Sequence, residues 1–106
     1  MYSQTKRQKN NLIDDRILAI HRAIAKKVIA QPLFIMQAKK VLEKRYEQKL
    51  IRYGSYLLWQ SLLELEEPEV FSAQLLSVEP RWYALRRSTI FVGVLTEEER
   101  KDALSE

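Results

Sequence analysis

The chain has no cysteine, two glycines, three prolines and one histidine among 106 residues. Without cysteine there is neither a disulfide nor a thiolate metal ligand, which suits a reducing compartment and makes a cytoplasmic location the expectation. The two glycines, Gly54 and Gly93, stand alone, so no glycine-rich loop is available to cradle a phosphate and no nucleophile elbow can form. His21 has no H-E-x-x-H arrangement around it, and one histidine cannot assemble a metal site by itself. Long apolar runs are missing too. Leu33 to Met36 and Ile90 to Val94 are the longest, against roughly 20 residues for a bilayer span. The opening M-Y-S-Q-T-K-R-Q-K lacks the apolar stretch a signal peptide needs. These absences argue against an enzyme, a cofactor, a metal centre and a membrane protein.

What is present belongs to a helical protein. With 46% hydrophobic and 30% charged residues the composition is that of a folded chain, and 106 residues hold one core. The organisation expected is a flexible basic tail over residues 1–10 and a single helical domain over 11–106. The formal charge of +4 conceals a polarity. Residues 1–53 carry 13 Lys or Arg against 4 Asp or Glu, a net +9, whereas residues 54–106 carry 5 against 10, a net −5. Either the basic half meets an anionic partner or the two halves pack and neutralise each other.

Periodicity divides the chain into four or five helices and a last capped one. The first is expected from Leu12 to Ala30, with Asn10 or Asn11 as N-cap and Ile13, Ile17, Ile20, Ile24 and Val28 as its apolar stripe. Gln31-Pro32 ends it and starts a second helix running to Tyr53, where Gly54 suits a left-handed C-cap and Ser55 the next N-cap. The third carries Trp59, Leu62 and Leu63, is apolar over most of its circumference, and is the expected centre of the core, with Trp59 more buried than Trp82. Pro68 and Pro80 open two short helices. Thr96-x-x-Glu99 is a capping box that starts the last one.

Most candidate chemistry has a plain explanation. Asp14 with Asp15, and Glu97 to Glu99, sit at expected helix starts, where the dipole accounts for them. Lys6, Arg7 and Lys9 in the tail and Lys39, Lys40 and Lys44 on the second helix form basic patches able to supply salt-dependent phosphate affinity, without a recognisable reading element. The segment Ala84 to Arg100 is different. It joins two arginines, a hydroxyl pair, the apolar connector Ile90 to Val94 and a helix start. An apolar connector must be covered, either by the core of its own chain or by a partner.

The order R-R-S-T-I-F-V-G-V-L-T-E-E-E-R resembles the block L-R-x-S-x-P-F-x-G-V-L-x-x-x-E-R that closes a group of small bacterial all-helical proteins, uncharacterised or antitoxin-like. Some members of that group carry an excisionase-type helix-turn-helix ahead of the block and lie beside toxin genes. The stretch L-A-I-H-R-A-I-A-K-K, Leu18 to Lys27, is similar to the group's L-x-L-H-R-x-x-A-x-K opening. Ile90 stands where the group has proline, and 106 residues leave no room for a preceding DNA-binding domain, so operator recognition is not expected. The resemblance carries over His21, Arg22, Leu85, Arg86, Ser88, Phe91, Gly93, Val94, Leu95, Glu99 and Arg100. It implies a regulatory partner of a neighbouring toxin or nucleic-acid enzyme.

The reading is therefore an all-α, compact bundle of four to six helices with an apolar connector before a capped C-terminal helix. Its expected work is non-enzymatic protein–protein interaction, with Arg86, Arg87, Ser88, Phe91, Gly93, Glu99 and Arg100 as the partner-binding set. The alternative is a small basic nucleic-acid-binding accessory protein that uses Lys6, Arg7, Lys9, Lys39, Lys40 and Lys44.

Overall fold

Each of the three prolines stands at a helix start, where a fixed φ costs nothing and the missing N–H would have no partner. The computed structural model describes the backbone of residues 2–105 and the side chains of residues 12–105. Six helices follow in order: α1 (Tyr2–Ala30), α2 (Leu33–Glu47), α3 (Tyr53–Leu63), α4 (Pro68–Leu75), α5 (Pro80–Arg87) and α6 (Glu97–Ser105). There is no strand among the described residues, so the all-α expectation holds. None of these helices is long and apolar enough to cross a membrane. The α1 helix continues N-terminal of Asn10 and Asn11, so neither is its cap and Asp14 lies in its interior. The side chains of the expected basic tail, Lys6, Arg7 and Lys9 included, lie outside the described residues.

The helix expected to reach Tyr53 stops at Glu47. Lys49 takes the left-handed conformation at φ 58°, its N–H bonding to Tyr46 O at 3.0 Å while Leu50 N–H reaches Arg45 O at 2.8 Å. That pair of bonds is a Schellman motif, built here without glycine. Gly54, the expected terminator, instead occupies the first turn of α3, with open space around the position of a Cβ.

The core forms around α3, as its apolar circumference predicts. Trp59 lies edge-on to Trp82 (centroids 5.5 Å apart) and to Phe91 (6.0 Å), and Phe91 is edge-on to Phe71 (6.2 Å). Such pairs contribute about 0.5–1.5 kcal/mol each beyond area burial. Both tryptophans are closed off, Trp59 at 1% exposure and Trp82 at 2%, so the expected contrast between them is absent. The α1 helix runs along this core, touching α2, α4, α5 and α6. Its buried face is Leu18, His21, Ile24, Ala25 and Val28, while Ile13 is exposed. The spacings of this face, three and four residues, are as regular as those of the isoleucine stripe, and it admits His21 because the imidazole finds partners.

Candidate interaction surfaces

The segment expected to form a docking surface is folded into the molecule. Arg86 is 1% exposed; its Nη1 donates to Leu75 O and Ser77 O, both at 2.8 Å, and its guanidinium lies 4.5 Å from the Tyr83 ring centroid. Leu75 is the last residue of α4, so the cation sits where the helix dipole is negative and fastens α5 to the end of α4. Nε and Nη2 make no hydrogen bond, and burial pulls the guanidinium below its usual pKa against the opposing influence of Tyr83 and Asp14. Arg86 is a clasp, and it does not present a charge to a partner.

Three further contacts tie the same segment to α1. Asp14 accepts from Arg87 Nε at 2.9 Å and from Nη2 at 2.7 Å, a fork that raises the Arg87 pKa. His21 Nδ1 lies 2.8 Å from Ile17 O, and a carbonyl only accepts, so Nδ1 carries the proton. Nε2 therefore accepts from the Thr89 hydroxyl at 2.8 Å, whose oxygen in turn accepts the Phe91 N–H at 3.2 Å. Burial holds this imidazole neutral, with its pKa lowered to about 4; the Ile17 carbonyl opposes that shift and nearby Arg86 adds to it. Lys27 Nζ donates to Glu99 Oε1 at 2.6 Å, which lowers the Glu99 pKa, and the same oxygen accepts the Thr96 N–H at 2.8 Å. The Glu99 N–H returns a bond to Thr96 Oγ1 at 3.1 Å, completing the capping box expected from the sequence.

The connector shares this fate. Ile90, Phe91 and Val94 are buried, whereas Val92 and Gly93 face outward. Gly93 adopts φ +71°, and a Cβ placed there would meet nothing within 4 Å, so a left-handed turn requires the glycine and close approach does not. Ser88 closes α5, and its carbonyl accepts from Arg45 Nη1 at 2.9 Å. Of the partner-binding set, then, Arg86 and Phe91 are inside. Arg87, Ser88 and Glu99 are engaged within the chain, Gly93 is a turn, and Arg100 is exposed.

The surface offers two other places, neither legible as a motif. The first is an apolar groove of about 450 Å³ between the α1–α2 corner and the α3–α4 turn. Leu33 (65% exposed) and Met36 (60%) form one lip, Ile29 lies at its end, and Glu66 and Pro68 form the other lip. Glu66 lines that second lip, and Glu64, Glu67 and Glu69 are its sequence neighbours; all four are exposed, and none is in an ion pair among the described residues.

The second place is the α2–α3 corner. Tyr46, Tyr53 and Tyr56 cluster there: Tyr56 stacks with Tyr46 (centroids 4.2 Å apart) and with Tyr53 (6.4 Å), and Tyr46 and Tyr53 are tilted to each other at 6.2 Å. The Tyr56 hydroxyl donates to both oxygens of Glu43, at 2.9 and 2.6 Å, a bond that raises its pKa to about 12. Lys39, Lys40 and Lys44, the basic set expected from the sequence, are exposed on α2 near this corner and unpaired among the described residues.

Among the described residues no group of three or more His, Cys, Asp or Glu side chains is placed to hold a metal. No family model matches the chain, and no match is found among the curated proteins or the solved structures.

Proposed function

We propose that the protein is a non-catalytic interaction module that receives an amphipathic helix from a partner protein in the apolar groove. The role is that of an antitoxin-like or regulatory partner of a neighbouring toxin or nucleic-acid enzyme. The observation that supports this best is the groove's two unlike lips: Leu33 and Met36 exposed on one side, and on the other Glu66, with exposed Glu64, Glu67 and Glu69 within three residues of it in the sequence. Large apolar side chains clustered in water with a polar rim mark a docking site, and a helix laid in such a groove reads it with residues at i, i+3, i+4 and i+7. The unpaired carboxylates select an occupant with a basic edge, which adds orientation and a faster encounter.

Co-expression with the product of the adjoining reading frame tests this. The partner should copurify with the wild-type chain and be lost with Leu33→Asp plus Met36→Asp. Substitution of Glu66, Glu67 and Glu69 by Gln should weaken the complex and flatten its salt dependence. Both variants alter exposed positions, so their circular dichroism and melting temperature should match the wild type. A complex that survives Leu33→Asp plus Met36→Asp would refute the groove as the docking site.

A further inference from the structure

The α2–α3 corner carries a feature that a protein-docking role leaves unused. Two dipeptides flank the loop between the helices: Arg45-Tyr46 lies in the last turn of α2, and Arg52-Tyr53 is the N-cap and first residue of α3. Neighbouring residues on a helix point about 100° apart. That turn separates Tyr46 from Arg45, and the extended backbone of Arg52, the N-cap of α3, separates its cation from the Tyr53 ring, so the arginines line a groove while the tyrosines join the aromatic cluster. The tyrosines meet each other in the aromatic trio, and Tyr53, 61% exposed, keeps much of its ring open to solvent.

The arginines enter a groove of about 360 Å³ on the adjoining face, where Arg81 from the start of α5 joins them. Among the described residues no carboxylate lines that groove. Glu79 reaches Arg81 from outside it, at a loose 3.7 Å with both side chains largely exposed. Residues 39–53 carry six Lys or Arg against two Asp or Glu, a net +4 equal to that of the whole chain. One of those two acids, Glu43, is occupied by the Tyr56 hydroxyl.

We infer that this corner binds single-stranded nucleic acid, with phosphates along the Arg45, Arg52 and Arg81 groove and an unpaired base stacked on Tyr53. The two halves of the site match the two halves of such a ligand. A guanidinium groove without carboxylates tracks a polyanion, and an exposed aromatic face beside it accepts any base without reading its sequence. Duplex fits poorly, because its bases already stack on one another and leave no free face for Tyr53. The site sits at the C-terminal end of α2, whereas the apolar groove lies at its N-terminal end, so the two can be occupied and tested separately.

Fluorescence anisotropy with a labelled 15-nucleotide oligo-dT, an oligo-U of the same length and a 15-base-pair duplex provides the test. Both single strands should bind at 50 mM salt at least tenfold more tightly than the duplex. Tyr53→Ala should weaken single-strand binding about fivefold or more, and Tyr53→Trp should restore it. Arg52→Gln with Arg81→Gln should lower the slope of log K against log salt by about 1.4, two contacts at about 0.7 each for single strands. Leu33→Asp should change nothing. All the substituted side chains lie at the surface, and unchanged circular dichroism confirms that each variant is folded. Absence of binding at 50 mM salt overturns the inference. So does equal affinity for duplex and single strand, or binding indifferent to Tyr53→Ala, either of which would mean general attraction of polyanions to a basic surface.

Discussion

Replacing Arg86 by alanine is the sharpest perturbation, because opposing terms of similar size meet at one buried side chain. The loss includes two hydrogen bonds from a cation to the carbonyls of Leu75 and Ser77, worth about 1.5–3 kcal/mol each. It also includes the packing of the aliphatic stem, since at 1% exposure the vacated volume is not open to water. Against this stands the cost of burying a guanidinium whose Nε and Nη2 find no acceptor, several kcal/mol that the alanine variant no longer bears. The net should be a destabilisation of about 3 kcal/mol, which for a domain of this size lowers the melting temperature by on the order of 10–25 °C. Arg86→Met isolates the polar part. It refills most of the volume and removes the unsatisfied nitrogens, so its loss should be about 1 kcal/mol. Arg87→Ala, at an exposed ion pair, should barely move the transition. Thermal denaturation followed by circular dichroism ranks the three variants. An alanine variant at position 86 that melts within a few degrees of the wild type would refute the clasp and restore Arg86 as a surface residue.

Other outcomes follow from the same geometry. Lys49→Gly should stabilise the fold by about 1 kcal/mol by relieving a left-handed lysine; a lower melting temperature would count against the motif at the end of α2. Gly54→Ala, in a helical turn with free space, should add about 0.5–1 kcal/mol, whereas Gly93→Val should cost about 1–3 kcal/mol. Gly93→Asn should recover much of that cost, since asparagine tolerates positive φ, and equal loss in both variants would mean packing decides the position. The His21 imidazole has a folded pKa of about 4 against 6.5 in the unfolded chain. Between those values the unfolded state binds the extra proton, so stability is full above pH 6.5 and falls as pH drops toward 4, by about 3 kcal/mol in all. Denaturant midpoints at pH 7 and 4.5 should differ less in His21→Gln than in the wild type, and parallel curves for the two proteins would refute the assignment.

Much of the fold is legible in the sequence because the signals are local. Pro68, Pro80 and the Thr96–Glu99 box fix helix starts by their own chemistry, and the apolar third helix has nowhere to go but the centre. The break after Glu47 is not legible. Gly54 is the residue type that ends helices, yet the chain turns at Lys49, where a lysine bears the strain that a glycine five residues later would have avoided. A helix drawn through to Tyr53 hides the tyrosine trio. On one continuous helix Tyr46 and Tyr53 are seven residues and about 10 Å apart along the axis, whereas the turn folds them to 6.2 Å between rings. The apolar stripe of α1 is right in its second half, where Ile20 packs on the core and Ile24 and Val28 are buried, but Ile13 is exposed and the buried face turns to Leu18 and His21, which the sequence does not show unless the partners of His21, Ile17 and Thr89, are known.

No single periodicity explains the segment from Ala84 to Arg100, and the structure supplies the missing constraint from far along the chain. Asp14, Ile17 with His21, and Lys27 follow one another down α1. The bonds from Asp14, His21 and Lys27 go to Arg87, Thr89 and Glu99 in the same order. The stretches Leu18 to Lys27 and Arg86 to Arg100 are thus opposite walls of one joint: His21 reaches Thr89, Lys27 reaches Glu99, and Phe91 lies edge-on to Trp59 and Phe71. Residues that must meet across about 70 positions are restricted together whatever the protein binds. A segment whose constraint lies so far along the chain shows no local periodicity, which is why the inward-facing Arg86 and Phe91 read as a site from sequence alone. It also explains where freedom to bind remains. The groove beside Leu33 and the corner at Tyr53 lie outside the joint, on elements whose exposed side chains can change without loosening it.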